Sequence, residues 1–320
     1  MDTNLNAVWD YRDPYEWMRL VSTSQLPPAM ISVAITGGAQ GKESNPNLPE
    51  TVEEQIQAAY EAYQEGAASV HIHVRNPENT AQSVCDEEVF SRVNYGIREK
   101  CPGMIVNNST AGGPTQSAYE KIAPVRAKYK PDMASLNPGP FMMEQKLKAR
   151  EGVPFPAEAR VNDICTPITY GDIRYWAEEL KTAGIKPEIE IFNAGHFWSV
   201  NHLIDRGLLE APYILQFVMG FQTGTYPTPW NVMALLNDIP KGSIFFVPGM
   251  GVYQLPMNMM ALVLGGHVRV GLEDNVYYKR GELAVSAAQQ VERIRRIAEE
   301  INRPIATIEQ SRQMMGLSPA

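Results

Sequence analysis

From Met30 onward, short apolar or alternating stretches are each followed by a stretch with helical spacing, and this rhythm repeats to the end of the chain. The expected strands lie at 30–36, 69–75, 104–109, 132–136, 187–192, 213–218, 243–247 and 267–271. The expected helices lie near 51–64, 86–100, 117–128, 170–182, 197–206, 229–237, 255–264 and 283–301. Thr51, with Glu54 three residues on, has the form of a capping box at the first of these. Eight successive βα units predict an α/β fold of the (β/α)8 TIM-barrel type; the competitor is a doubly wound sheet, but eight units with polar strand ends favour closure. The barrel domain is expected over 29–320, preceded by an N-terminal extension over 1–28 that carries Trp9, Tyr11, Tyr15 and Trp17. That extension is expected to wrap over the body or a neighbouring subunit. The connection after strand four, 137–167, is far longer than usual and is expected to be a lid or an oligomer contact.

Alternation within the strands sorts side chains into helix-facing and interior sets. In 69–75, Val70, Ile72 and Val74 share one face, and His71, His73 and Arg75 share the other. Two imidazoles about 7 Å apart on one strand face can converge on a metal, or form a hydrogen-bonded structural pair. Strand five turns Glu188 and Glu190 inward, and strand eight His267, Arg269, Gly271 and Glu273. Asn107 and Ser109 end strand three, and Ser135 lies near the end of strand four. An interior Arg or carboxylate is costly unless paired or metal-bound, whereas a purely structural barrel fills such positions with Val, Ile and Leu. The structural alternatives are an Arg269–Glu190 ion pair and a capping or solvated Glu273–Asp274 pair. Two His and one carboxylate with open positions suit catalytic Zn2+, and non-haem Fe(II) uses the same set. Asp274, just past the strand end, can turn back toward the metal as a general base. From the residues alone the chemistry is metal-assisted, on a carbonyl or carboxylate compound, with an Arg to neutralise developing charge.

Composition narrows the partners. The 320 residues are 44% hydrophobic, enough for a sizeable core, and the net charge of −8 argues against nucleic acid. Cys85, Cys101 and Cys165 have no metal-like spacing and read as thiols in a reducing compartment. The N-terminus has no apolar signal core, and no apolar run reaches the ~18 residues of a membrane span, so a soluble cytoplasmic protein is expected.

The segments Val33-Ala-Ile-Thr-Gly37, Asn47-Leu-Pro49, His71-Ile-His-Val-Arg75, Asn108-Ser-Thr-Ala-Gly-Gly113, Met133-Ala-Ser-Leu-Asn137, Pro187-Glu-Ile-Glu190, Gly266-His-Val-Arg-Val-Gly-Leu-Glu-Asp-Asn275 and Arg303-Pro-Ile-Ala306 carry a further signal. In this order they resemble the β-keto acid cleavage enzymes, which include the 3-keto-5-aminohexanoate cleavage enzyme. The resemblance implies a zinc-dependent barrel with acetyl-CoA as co-substrate. A β-keto acid and acetyl-CoA would become acetoacetate and a new acyl-CoA by a Claisen and retro-Claisen sequence. It implies His71, His73 and Glu273 as zinc ligands, Asp274 as the base and Arg269 as the arginine paired with it. Ser109 matches a substrate contact and Glu190 an interior acid, while Ser135 stands where a relative has Thr and keeps a hydroxyl for an oxyanion. The resemblance also implies substrate contacts at Thr110, Gly112, Asn137 and Asn193, and a homotetramer or other homo-oligomer.

The amine-bearing keto acid enzyme has an acid soon after strand one, where this chain reads Gly38-Ala39-Gln40-Gly41, and another where it has Asn193. Without them a cationic substituent lacks its partner, so a neutral or differently substituted keto acid is expected. His196, Trp198, Tyr226 and Trp230 are candidates for the side-chain pocket, the core or a subunit contact. The turns 220–224 and 249–251 are candidates for CoA phosphate by location, and equally ordinary turns. The rival readings are an amidohydrolase-like hydrolase, for which His196 and Gln216 are the further candidate ligands, a metal-dependent C–C lyase working without acetyl-CoA, and a metal-stabilised binding protein.

Overall fold

A computed structural model describes residues 3–112 and 116–319; Gly113, the last residue of one motif above, lies outside them, as does the first residue pair of the expected extension. Eight parallel strands form the barrel: β1 (Ile31–Ala34), β2 (Ser69–Ile72), β3 (Ile105–Asn108), β4 (Met133–Leu136), β5 (Lys186–Ile191), β6 (Tyr213–Phe217), β7 (Ser243–Phe246) and β8 (Val268–Val270). Each pairs with its sequence neighbour, and β1 pairs with both β2 and β8. The circle closes between β7 and β8 through a parallel bridge, Phe246 to His267, and a 2.8 Å bond from His267 N–H to the Phe245 carbonyl. The expected (β/α)8 architecture is therefore the observed one.

The surrounding helices begin where side chains can cap them. An N-terminal helix, α1 (Pro14–Ser22), precedes the barrel. Then come α2 (Val52–Gln64), α3 (Glu87–Lys100), α4 (Ala118–Lys121), α5 (Tyr170–Ala183), α6 (His196–Asp205), α7 (Pro229–Asp238), α8 (Gln254–Val263), α9 (Ala287–Glu300) and a terminal α10 (Ile308–Met315). The Thr51–Glu54 capping box is present, and Asp86 and Thr169 cap α3 and α5. Three expectations need correction. The strand over 69–75 stops at Ile72, because Val74–Asn76 turns out of the barrel to pair with Asn79–Val84. The helix over 117–128 is one turn, α4, followed by a 3-10 turn at Ala123–Arg126, with Pro124 at its start. The last barrel helix starts at Ala287 rather than 283, because Leu283 belongs to a small hairpin with Tyr277–Lys279.

The barrel interior is layered. Met30, Ile105, Met133, Ile214, Ile244 and Phe246 close the amino ends of the strands, with Ala7, Ala306, Met314 and Met315 packed beneath. Residues of the expected extension lie against this body: Tyr11 packs edge-on against Phe245, and Trp17 donates from its indole to the Val263 carbonyl. Arg303 of the last motif is buried and ties four carbonyls together, Pro27, Ala261, Leu262 and Gly265, satisfying the end of α8. Above the apolar floor the interior turns polar, with Ser32, His71, Asn107, Glu188, Gln216 and Arg269 all buried.

The long connection after β4 contains an antiparallel hairpin, Phe141–Leu147 with Arg160–Thr166. Its inward face crosses the mouth formed by the carboxyl ends of the strands. It is held from two sides. Thr223 and Gln222 act as a surrogate strand, their side chains bonding both N–H and carbonyl of Met142 and of Glu144 at 2.6–3.0 Å. At the hairpin's base on the other side, Arg150 is buried against Glu43 and Glu50 of the loop after β1 and also donates to the carbonyls of Pro154 and Phe155. Burial alone would raise the Glu50 carboxyl, but Arg150, the Lys42 N–H and the Thr80 hydroxyl together hold it below its ordinary value.

Arg150→Ala leaves two buried carboxylates without their cation and is expected to lower the free energy of unfolding by about 3–5 kcal/mol, read by urea titration at neutral pH. Because the Glu50 pKa is depressed on folding, its contribution is complete above the ordinary carboxylate pKa and disappears as pH falls through the folded value. The difference between wild type and Arg150→Ala should therefore narrow on acidification; a difference that is constant down to unfolding would refute the ion-pair account.

Candidate active site

A cavity of about 760 Å³ opens at the carboxyl ends of the strands, the face where barrel loops converge. His71 sits on β2 and His73 just past its end, and their Nε2 atoms lie 3.3 Å apart, aimed at one space. Glu273 reaches the same space from beyond β8, with Oε1 3.7 Å and 3.5 Å from those two nitrogens. One ligand atom from each of the three lies within 4.8 Å of the others.

Gly271 makes this convergence possible. Its φ is +133°, and a Cβ there would lie 2.0 Å from the Ala34 carbonyl oxygen, so only glycine lets the chain leaving β8 pass the end of β1. Glu273 N–H then bonds that same carbonyl at 3.1 Å. Helix side chains fix the segment from behind. Asn258 bonds both the N–H and the carbonyl of Arg269 at 2.9 Å. Gln290 accepts from Gly271 N–H and donates to the Asn275 carbonyl, and Gln254 donates to the Gly271 carbonyl.

Arg269 joins the acids. Its Nε and Nη2 grip Asp274 at 3.1 and 2.9 Å, and Nη2 also donates to Glu273 Oε1 at 2.6 Å. Nη1 has no hydrogen-bond partner, with Glu190 at 3.7 Å and Glu188 at 4.0 Å. The expected Arg269–Glu190 contact is thus a minor one beside the Asp274 fork. Burial opposes charge on Glu273, but Arg269 and the two imidazoles outweigh it and hold the carboxyl well below its usual range. Burial and the neighbouring Glu273 push Asp274 up to about 6 despite Arg269, and burial pushes Glu190 up to about 7. Burial would lower both imidazoles; it prevails at His73, whereas Glu273 and Glu188 raise His71.

This donor set fits a divalent cation on its own geometry. Two imidazole nitrogens face each other at hydrogen-bond distance, and Glu273 Oε2 is buried with no partner. Four carboxylates, Glu188, Glu190 and Asp274 buried and Glu273 partly so, surround the Arg269 guanidinium, an imbalance that a cation would relieve. His, His and Glu with open positions could hold Zn2+ or Fe(II).

Of the other expected residues, Ser109, Gly112, Asn137 and Glu190 line the cavity together with His73, Arg269, Glu273 and Asp274. Ser109 Oγ accepts from Ala111 N–H at 3.2 Å. Ser135 lies behind that loop rather than in the cavity: its Oγ accepts from Thr110 N–H at 2.9 Å, and Thr110 Oγ1 donates to its carbonyl. Thr110 and Asn193 likewise lie outside the cavity lining, and the Asn193 carbonyl accepts from His196 N–H at the start of α6. His196 is buried as a support, accepting from Phe192 N–H, and Gln216 is spent on Glu188 at 2.7 Å. Trp198, Tyr226 and Trp230 stand in solvent at 79–82% exposure, so they form neither core nor pocket. Gly220 and Gly251 of the two candidate phosphate turns do reach the cavity wall.

Sequence reasoning missed the supporting shell. Glu188, turned inward by alternation, lies 3.4 Å from His71 Nδ1, on the side of the ring away from the cluster, where a metal-ligating imidazole commonly has a carboxylate. Arg75 donates to the Gly37 and Gln40 carbonyls and so holds the turn against which Glu273 and His73 pack.

A sequence profile of the β-keto acid cleavage enzymes matches residues 28–317. The chain is 36% identical, over 90% of its length, to the 3-keto-5-aminohexanoate cleavage enzyme of Acetoanaerobium sticklandii, covering 98% of that protein. It is 36% identical, over 91% of its length, to the 3-oxoadipate:acetyl-CoA acetyltransferase of Cupriavidus necator, covering 95% of it. Among solved structures, the ternary complex of ObcA with a C4-CoA adduct and oxalate superposes with a TM-score of 0.69 at 18% identity, over 85% of this chain and 68% of that one, which shows a shared fold.

Gly271→Ala is expected to cost about 1–3 kcal/mol from the left-handed backbone alone, with the clash against Ala34 added to it. Urea denaturation measures the loss; an unchanged midpoint would show that β8 does not need the close approach.

Proposed function

The chain belongs to the β-keto acid cleavage enzyme family, and on that premise we propose that it condenses a β-keto acid with acetyl-CoA and releases acetoacetate and a new acyl-CoA. The observation that carries the reading is Asp274, fixed by Arg269 beside the His71–His73–Glu273 cluster inside the strand-end cavity.

A divalent metal, zinc in this reading, would be held by His71, His73 and Glu273 and would polarise the substrate's ketone as a Lewis acid. Asp274 takes the proton from the carbon between ketone and carboxylate; its raised pKa brings it nearer to that of the carbon acid. Arg269 meets the negative charge that develops there. The carbanion attacks the acetyl thioester carbonyl: a C–C bond forms, the C–S bond breaks, and CoA leaves as thiolate. The thiolate then adds to the original ketone carbon, and the bond from that carbon to the newly acetylated carbon, formerly the methylene, breaks. Acyl-CoA results, and the acetoacetate carbanion recovers its proton from Asp274. Glu190, pushed up to about 7 by burial, can in its protonated form donate a hydrogen bond where oxygen charge grows. Ser109, Gly112 and Asn137 supply substrate contacts from the cavity wall. Ser135, Thr110 and Asn193 act from behind it, by positioning the loops after β3 and β5. The turns at Gly220 and Gly251 are the candidate contacts for CoA.

An amidohydrolase-like reading would need further ligands, and the two candidates, His196 and Gln216, are engaged elsewhere. Among the described residues no helix is long and apolar enough to cross a membrane. A homo-oligomer accords with the exposed rings of Trp198, Tyr226 and Trp230.

Acetoacetate release over a panel of β-keto acids tests the reading. It should require acetyl-CoA, fall on chelation and return with Zn2+; cleavage without acetyl-CoA would make the protein a lyase instead. Asp274→Asn should lower kcat by about 10²–10⁴-fold. Keto acid binding, followed by calorimetry, should be retained in that variant; normal turnover by it would assign the proton to another group.

A further inference from the structure

We propose that Phe141, Phe192 and Phe221 form the subsite for the keto acid's side chain, and that this subsite selects an uncharged, apolar substituent. The inference rests on the function proposed above and adds the substrate class. Phe192 continues the inward face of β5 two residues beyond Glu190, Phe221 follows β6, and Phe141 opens the lid hairpin. In the closed strand order, β5 and β6 stand across the barrel from β1 and β2. A keto acid with its oxygens at the His71–His73–Glu273 cluster therefore points its substituent across the cavity toward these rings.

The rings fix one another. Phe141 stacks on Phe192 with centroids 4.9 Å apart and 19° between planes. Phe221 stands edge-on to both, at 5.2 Å from Phe192 and 6.0 Å from Phe141. All three line the cavity, and Val218, Met143 and Ile164 extend the same surface. None of these six side chains ionises. Of the cavity-lining carboxylates near the rings, Glu190 faces Arg269, and Glu144 alternates to the exposed face of the hairpin, opposite to Phe141 and Met143. Arg160 pairs opposite Leu147, at the far end of the hairpin from Phe141, about 20 Å away by the strand rise.

A charged substituent here would lose its hydration with no partner to replace it. An alkyl substituent gains about fourfold in binding for each methylene buried. Ring faces attract cations, and a quaternary ammonium, the most weakly hydrated of them, loses least on leaving water, so it belongs in the test.

The experiment measures acetoacetate formation with acetyl-CoA from 3-oxo acids of increasing alkyl length, and from analogues ending in ammonium, carboxylate or trimethylammonium. The expected result is a rise in kcat/KM of about fourfold per methylene over the first members, and a preference of about a hundredfold over the charged analogues. Phe221→Ala and Phe141→Ala, both at half-buried rings, should flatten the chain-length dependence through KM for the keto acid, with KM for acetyl-CoA unchanged. Phe221→Leu should restore most of the dependence. Preference for any charged analogue, or a chain-length dependence intact in both alanine variants, overturns the proposal. A rise in KM for acetyl-CoA instead assigns the rings to the cofactor arm and overturns it too. Should no 3-oxo acid give acetoacetate, the proposed function fails; calorimetric binding of the alkyl series then decides the subsite, which predicts tighter binding with each methylene and is refuted by its absence.

Discussion

The guanidinium of Arg269 is the point on which the mouth of the barrel depends. Glu273 and Asp274 are chain neighbours whose charges repel, and both are turned inward by one cation that grips them separately. The grip is rigid because Asn258 fixes the arginine's own main chain on both sides. Sharing leaves the two acids in different states: Glu273 is held ionised with one oxygen free, and Asp274 is lifted toward the protonated form. One stays a ligand in our reading while the other can exchange a proton. That division of labour between adjacent carboxyls is what environment can impose on identical chemistry.

The arginine can sit there because the barrel is stratified. The apolar plug from Met30 to Phe246, closed below by Met314 and Met315, keeps water out from the amino ends of the strands. Above it, several buried polar groups lean on one another: Gln216 on Glu188, Glu188 beside His71, and His71 on the cluster. Glycine at 271 and the amides of Gln254 and Gln290 keep the chain after β8 in the register this requires.

Much of this was legible in the residues. Strands with one apolar face betray their inward side chains by alternation, and this places Glu188, Glu190 and Arg269 in the interior. The ordered motifs, ending in the Gly271–Asn275 segment, tied His71 and His73 to Glu273 across most of the chain. Other features leave no local trace. Gln290 and Asn258 are single amides on amphipathic helices, and their partners lie 19 and 11 residues away. The break at His73 depends on a strand partner at 79–84, and Leu283 reads equally as helix or as the hairpin it joins. Nothing local marks Phe192 or Phe221, since a ring facing a cavity and a ring facing its neighbours have the same sequence.

The double anchorage of the 141–166 hairpin has a further consequence. The cluster is fixed by β2, β8 and the helices behind them, whereas the opposite wall is tied to the 220–224 turn and to Arg150. The two sets meet at the loop after β1, where Gln40 donates to the Glu273 carbonyl and Glu43 and Glu50 hold Arg150. Insertions or replacements in the hairpin and its turn can remodel what the enzyme accepts without disturbing the groups that react. The scaffold thereby behaves like a socket with an interchangeable jaw, in which novelty accumulates on one side of the substrate while the other side stays constant.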